Sequence, residues 1–171
     1  LNNLYEGIGL FYSSNNTLVN NTCAQNSQEG IYLWTSNNNT LTNNSCYKNT
    51  NNGILLSSSS NNTLTKNSCH LNAANGILVS YSSDFNTLTN NSCYNNSNDG
   101  VRLYYANSAT VTANLCYNNS NDGVHLHHAS STIVTENRCY FLRILYDTPL
   151  WVGGAMRSLH RPRIREDCRY V

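Results

Sequence analysis

Short alternations of apolar and polar residues recur along this chain at a fixed interval. Gly7, Gly30, Gly53, Gly76, Gly100 and Gly123 are each followed by Ile or Val (Ile8, Ile31, Ile54, Ile77, Val101, Val124). Two residues further on stand Leu10, Leu33, Leu56, Val79, Leu103 and Leu126. Apolar residues two apart in a short run share one face of a β-strand, so each glycine predicts a strand with one side buried. A second short strand centres on Leu18, Leu41, Leu64, Leu88, Val111 and Val134. A third centres on Cys23, Cys46, Cys69, Cys93, Cys116 and Cys139, which lie 23, 23, 24, 23 and 23 residues apart. No stretch places apolar residues three to four apart, and the intervening Asn, Thr, Ser and Gly are poor helix-interior residues. Self-similarity at this period marks units that stack only on their neighbours. The expected fold is therefore all-β: a parallel β-helix solenoid of about six coils of 23 residues, with three short strands per coil. At roughly 4.8 Å per coil, six coils make a rod of roughly 29 Å.

Asparagine is the unusual component, 32 of 171 residues, and much of it falls at fixed offsets. Interleaved Ile, Leu and Cys argue against a disordered Asn-rich tract. Asn21, Asn44, Asn67, Asn91, Asn114 and Asn137 each lie two residues before a cysteine. In register, their amides can bond along the axis of the rod, as in stacked parallel strands. A second column, Asn26, Asn49, Asn72, Asn96 and Asn119, ends at Leu142. The glycines, preceded by Glu, Asn or Asp, suit a corner with positive φ. The single 24-residue interval places one extra residue within 82–86, in a loop.

Two segments result. Residues 1–140 carry the repeats. Residues 141–171 hold both prolines, the only methionine and six of the ten basic residues, and read as a non-repeat cap or a disordered tail. Leu1 occupies the position after a cysteine in the repeat frame and follows no leader, so the chain reads as a piece of a longer array. Charged residues make up 11% and the net charge is +1, which supplies no broad field for nucleic acid. No apolar run is long enough to cross a membrane.

The sentence Asn-Asn-Thr-Leu-Thr-Asn-Asn-Ser-Cys-Tyr (38–47), with Gly-Ile-Tyr-Leu (30–33), resembles the Asn-rich repeats of the NosD family. The resemblance covers about residues 1–140. It implies the right-handed, single-stranded β-helix of the pectate-lyase-like fold. That family includes a periplasmic protein linked to copper-site maturation of nitrous oxide reductase. Similar repeats occur in microbial surface proteins and in carbohydrate-processing enzymes. No motif here carries the copper role over residue by residue.

Four groups of residues bear on chemistry. The cysteine column is inward, and buried thiols pack as small hydrophobes, although thiolates would suit a soft metal. Aligned parallel cysteines point the same way and bridge poorly as disulfides. On the outward side of the glycine-initiated strand stand Tyr32, Trp34, Arg102 and Tyr104, with Phe11 at the same offset, able to stack on sugars. His125, His127 and His128 offer imidazoles for copper or zinc, His125 and His127 being about 6.8 Å apart along the strand. Asp99 and Asp122 stack in adjacent coils, as do Glu6 and Glu29; such pairs can serve as an acid/base or nucleophile pair, can bind Ca²⁺ with Asn98 and Asn121, or are solvated turn residues. A further outward column, Ala24, Tyr47, His70, Tyr94, Tyr117 and Tyr140, predicts an aromatic ladder. Eight Asn-x-Ser/Thr sequons follow from the repeat.

The groups that epimerases and lyases of this fold bring together are not expected to converge in these coils. The expectation is a non-catalytic extracytoplasmic scaffold on a cell surface or in a periplasm. Its partner would be polysaccharide or another cell-envelope component, with no resident cofactor. The alternatives are a periplasmic copper-handling protein and a fragment of a polysaccharide lyase or epimerase.

Overall fold

The computed structural model of the chain describes residues 3–141 and the strand Arg165–Glu166. Strands are numbered β1 to β19 in chain order, and three parallel sheets line the rod. The first, sheet A, holds β1 (Ile8–Phe11), β4 (Ile31–Trp34), β7 (Ile54–Ser57), β10 (Ile77–Ser80), β13 (Val101–Tyr104) and β16 (Val124–His127). Sheet B holds β2 (Thr17–Val19), β5 (Thr40–Thr42), β8 (Thr63–Thr65), β11 (Thr87–Thr89), β14 (Thr110–Thr112) and β17 (Ile133–Thr135). Sheet C holds β3 (Thr22–Ala24), β6 (Ser45–Tyr47), β9 (Ser68–His70), β12 (Ser92–Tyr94), β15 (Leu115–Tyr117) and β18 (Arg138–Phe141). Its last strand also pairs antiparallel with β19 (Arg165–Glu166), Tyr140 opposite Glu166. This is the six-coil, three-strand solenoid that the alternation predicts.

Register is strict. Ile31 pairs with Ile54, Leu41 with Leu64, and Cys46 with Cys69. Every inward column thus stacks like on like, and the core is a stack of Ile, Leu, Val and Cys with no exposure in the middle coils. The extra residue of the long interval is Ser82, where Tyr81 and Ser82 both have positive φ. The seryl column resumes at once, with the Ser59 amide donating to the Ser83 hydroxyl.

The two expected asparagine columns form. Asn44 Nδ2 donates to Leu18 O at 2.9 Å and to Asn67 Oδ1 at 3.0 Å. Asn49 Nδ2 donates to Cys23 O and to Asn72 Oδ1 in the same way. That column runs to Asn119, and its expected end at Leu142 lies outside the described residues. A third column, Asn39, Asn62 and Asn86, was not anticipated; Asn39 Nδ2 reaches Asn62 Oδ1 at 3.1 Å. The ladders supply buried partners for amides and carbonyls that the corners take out of the sheets.

The corner glycines are not in the left-handed region, which corrects the sequence expectation. They are there for space. A Cβ on Gly53 would stand 2.6 Å from Gly76 O and 2.9 Å from the Cβ of Cys69. The positive φ falls on other residues at the ends of strands, among them Asn20, Asn43, Asn90, Lys66, Ala113 and Leu71.

Candidate functional site

One column of residues, each preceding a corner glycine, organises the outward chemistry of sheet A. It reads Glu29, Asn52, Asn75, Asp99, Asp122 down the rod. Asn52 Nδ2 donates to Glu29 at 3.3 Å, and Asn75 Nδ2 to Asn52 at 2.9 Å. The Asp99 amide then donates to Asn75 Oδ1, and the Asp122 amide to Asp99 Oδ1 at 3.0 Å. Asp99 is therefore a rung of a buried ladder, with a side chain 0% exposed. The reading of Asp99 as a solvated turn residue is wrong, because Arg102 of its own coil and His125 of the next lie over it.

Oδ2 of Asp99 accepts no hydrogen bond. The nearest basic groups are Arg102 Nη1 at 3.6 Å and His125 Nδ1 at 3.5 Å. The same His125 nitrogen is 3.2 Å from Asp122 Oδ2. Burial pushes the Asp99 carboxyl up from its ordinary range, and the Asp122 amide, His125 and Arg102 only partly offset this. Ligand atoms of Asp99, Asp122 and His125 all lie within 4.8 Å of one another.

Around this cluster the outward side chains of β13 and β16 are paired in register, Arg102 with His125 and Tyr104 with His127. The Arg102 guanidinium stands 5.5 Å from the centre of the Tyr104 ring. Tyr104 stacks on His127 at 5.1 Å, and Tyr105 on His128 at 4.6 Å. Loss of hydration, then the neighbouring His128, Arg102 and His125, lower the His127 pKa, which favours a neutral imidazole. Of the three histidines expected to share a metal, only His125 joins the carboxylates. Its ring is 6.4 Å from that of His127, while His127 and His128 meet edge to face at 4.5 Å.

Polar and aromatic groups of this face gather at one end of it. Asp99, Arg102, Tyr104, Asp122, His125 and His127 meet across two coils. Spacing alone undercounts them, because partners 23 to 26 positions apart become neighbours only once the register is fixed.

At the other end of the same face, Tyr32 and Trp34 form a separate aromatic group with Phe11 and Tyr12. Phe11 is edge-on to Tyr32 at 5.5 Å, and Tyr12 is tilted against Trp34 at 5.1 Å. Between the two ends lie Leu55, Ser57, Leu78 and Ser80, the last of them buried. The two aromatic groups stand about three coils, roughly 14 Å, apart on this face.

The cysteine column packs inside. Cys23, Cys46, Cys69, Cys93 and Cys116 are free and buried, whereas Cys139 is disulfide-bonded. Cys168 lies outside the described residues. Burial and S–H contacts with Cys46 and Cys93 push the Cys69 thiol up. S–H contacts from Cys23 and then Cys69 act in the other direction at Cys46, as do those from Cys116 and then Cys69 at Cys93. Upward is the direction that governs the column, since among the described residues no Lys, Arg or His is buried to balance a thiolate. The outward ladder beside it forms as expected, Tyr94 stacking on His70 at 4.6 Å and on Tyr117 at 4.7 Å.

Fold and site together define a parallel β-helix with a polar and aromatic cluster on one sheet face. Residues 1–139 match the family described as the right-handed beta helix region, and the chain belongs to it. No curated protein matches the chain. Among solved structures it is similar to the periplasmic alginate epimerase AlgG, with a TM-score of 0.71, 20% identity and 78% of this chain covered. It is similar to the A-module of the Azotobacter vinelandii mannuronan C-5 epimerase AlgE6, with a TM-score of 0.74, 23% identity and 78% covered. It is also similar to pectate lyase Pel9A, with a TM-score of 0.55, 19% identity and 58% covered. The chain spans 36%, 41% and 27% of these structures, in that order.

Proposed function

We propose that the outward face of sheet A binds an acidic polysaccharide outside the cytoplasm and moves the proton on the carbon beside its carboxylate. Epimerases and lyases acting on uronate polymers share that step. The rest of the rod is the rigid scaffold for this face. The observation that carries the reading is the convergence of Arg102, Tyr104 and His127 on two neighbouring strands.

The chemistry follows from what each group offers. A proton beside a carboxylate becomes removable when the carboxylate's charge is balanced, which is the role of Arg102. A neutral His127 accepts that proton, and the Tyr104 hydroxyl can return one to the carbanion. Return to the opposite face inverts the centre; departure of the neighbouring glycosidic oxygen instead cleaves the chain. Trp34 and Tyr32 stack on sugar rings further along the polymer. The neighbours named above, two epimerases and a lyase, support the class, and the periplasmic one supports the location.

Alginate and polygalacturonate incubated with the protein in D₂O test the reading, with deuterium at the carbon beside the carboxylate followed by NMR. Deuterium should enter with wild type and fall by at least about 100-fold in His127→Ala and Tyr104→Phe. Arg102→Ala should lower exchange as well as polymer binding, whereas Trp34→Ala should mainly weaken polymer binding. Polymer binding with no exchange leaves the scaffold reading standing in place of the catalytic one. Exchange unchanged in both His127→Ala and Tyr104→Phe sinks the assignment.

A further inference from the structure

The groups of the polysaccharide reading leave one feature unused: the buried Asp99 carboxylate, whose free oxygen faces a second carboxylate and an imidazole. We infer that Asp99 Oδ2, Asp122 Oδ2 and His125 Nδ1 form a binding site for a divalent first-row transition ion, with Zn²⁺ as its probe.

Three facts support it. The three ligand atoms lie within 4.8 Å of one another, near enough to close on one ion with small rotamer changes. Oδ2 of Asp99 is buried, faces the cluster and accepts no hydrogen bond, so its lone pairs are free to bind an ion. Its other oxygen is held by the Asp122 amide at 3.0 Å, which fixes the carboxylate's orientation as outer partners do for metal ligands. Two hard oxygens and one imidazole suit a borderline ion better than Ca²⁺ or Mg²⁺, which prefer all-oxygen sites. Asp122 and His125 are about one quarter exposed, so an ion reaches the site from solvent.

Arg102 is the competing cation. Its Nη1 is 3.6 Å from Asp99 Oδ2, without a hydrogen bond, and the side chain is 31% exposed. It can therefore swing outward when an ion arrives. Ion binding and the polysaccharide reading are independent, and the ion is measured with no glycan present.

The test is calorimetric titration of the whole chain with Zn²⁺, its reactive thiols first alkylated. Wild type should bind one ion. Asp99→Asn and His125→Ala should each weaken that binding by at least about tenfold. Arg102→Ala should strengthen it, and His128→Ala should leave it unchanged. Asn already fills the Asp99 column at Asn52 and Asn75, so Asp99→Asn is compatible with the fold, and a circular-dichroism melt confirms it. The inference is overturned by the absence of a stoichiometric site in wild type. It is equally overturned if Asp99→Asn and His125→Ala bind like wild type, or if loss occurs only in His128→Ala.

Discussion

Asp99 shows how much a single position depends on its neighbours one coil away. Its carboxyl, with an ordinary value of 3.8, is raised by burial. Between that value and the raised one, the unfolded chain is ionised while the folded chain keeps its proton, so folding loses stability as pH rises through this window. Above the window the loss is complete. Asp99→Asn without added metal should therefore stabilise the fold at pH 7 by about 1 kcal/mol, the scale of an unsatisfied buried group. The gain should vanish below pH 3.8, where both states of the wild type are protonated. Urea midpoints at the two pH values check this; an equal gain at both would show that charge is not the cause. The sequence shows Asp99 and Asp122 stacked, but it does not show that Arg102 and His125 roof one of them. Nor does it show which residues take the left-handed conformation. Asn20, Asn43 and Asn90 announce it, whereas Lys66 and Ala113 in the same column adopt it because the coil requires it.

At the scale of strands and columns the sequence is far more legible. A period of two in a four-residue run fixes which face of each sheet A strand is buried, and repetition fixes the partner. The cysteine, asparagine and aromatic columns all follow. The third asparagine column escapes because each Asn-Asn pair holds one inward and one outward residue, and composition does not distinguish them. The glycine role escapes because it arises from Gly76 O and Cys69 Cβ of the neighbouring turns and not from local dihedral angles. The columns also have a measurable cost of interruption. Asn67→Ala would remove the acceptor for the Asn44 amide and for its Nδ2, both at 3.0 Å, and the donor to Leu41 O. With several buried partners left unmatched, the loss should be about 3 kcal/mol in urea unfolding. A loss under about 0.5 kcal/mol would mean that water replaces the amide and that the ladder is ornamental.

Across the described coils the backbone repeats nearly the same cross-section, and the outward side chains vary far more than the inward ones. The aromatic group around Trp34 and the cluster around Asp99 occupy two ends of one face because the scaffold beneath them does not change. Backbone bonds such as Gly30 N to Asn52 O and Ser45 N to Asn21 O all join one coil to the next, parallel to the axis. That arrangement gives the rod unequal mechanics. A pull from residue 3 to residue 141 opens one coil's bonds at a time, so force spectroscopy should show a staircase of weak rips. Each rip should release about 80 Å, the extended length of one 23-residue coil at roughly 3.6 Å per residue. One large rip would contradict it. A sideways load meets the bonds of many coils together and finds a stiff beam. Under tension the same protein pays out length gradually, as a shock absorber does.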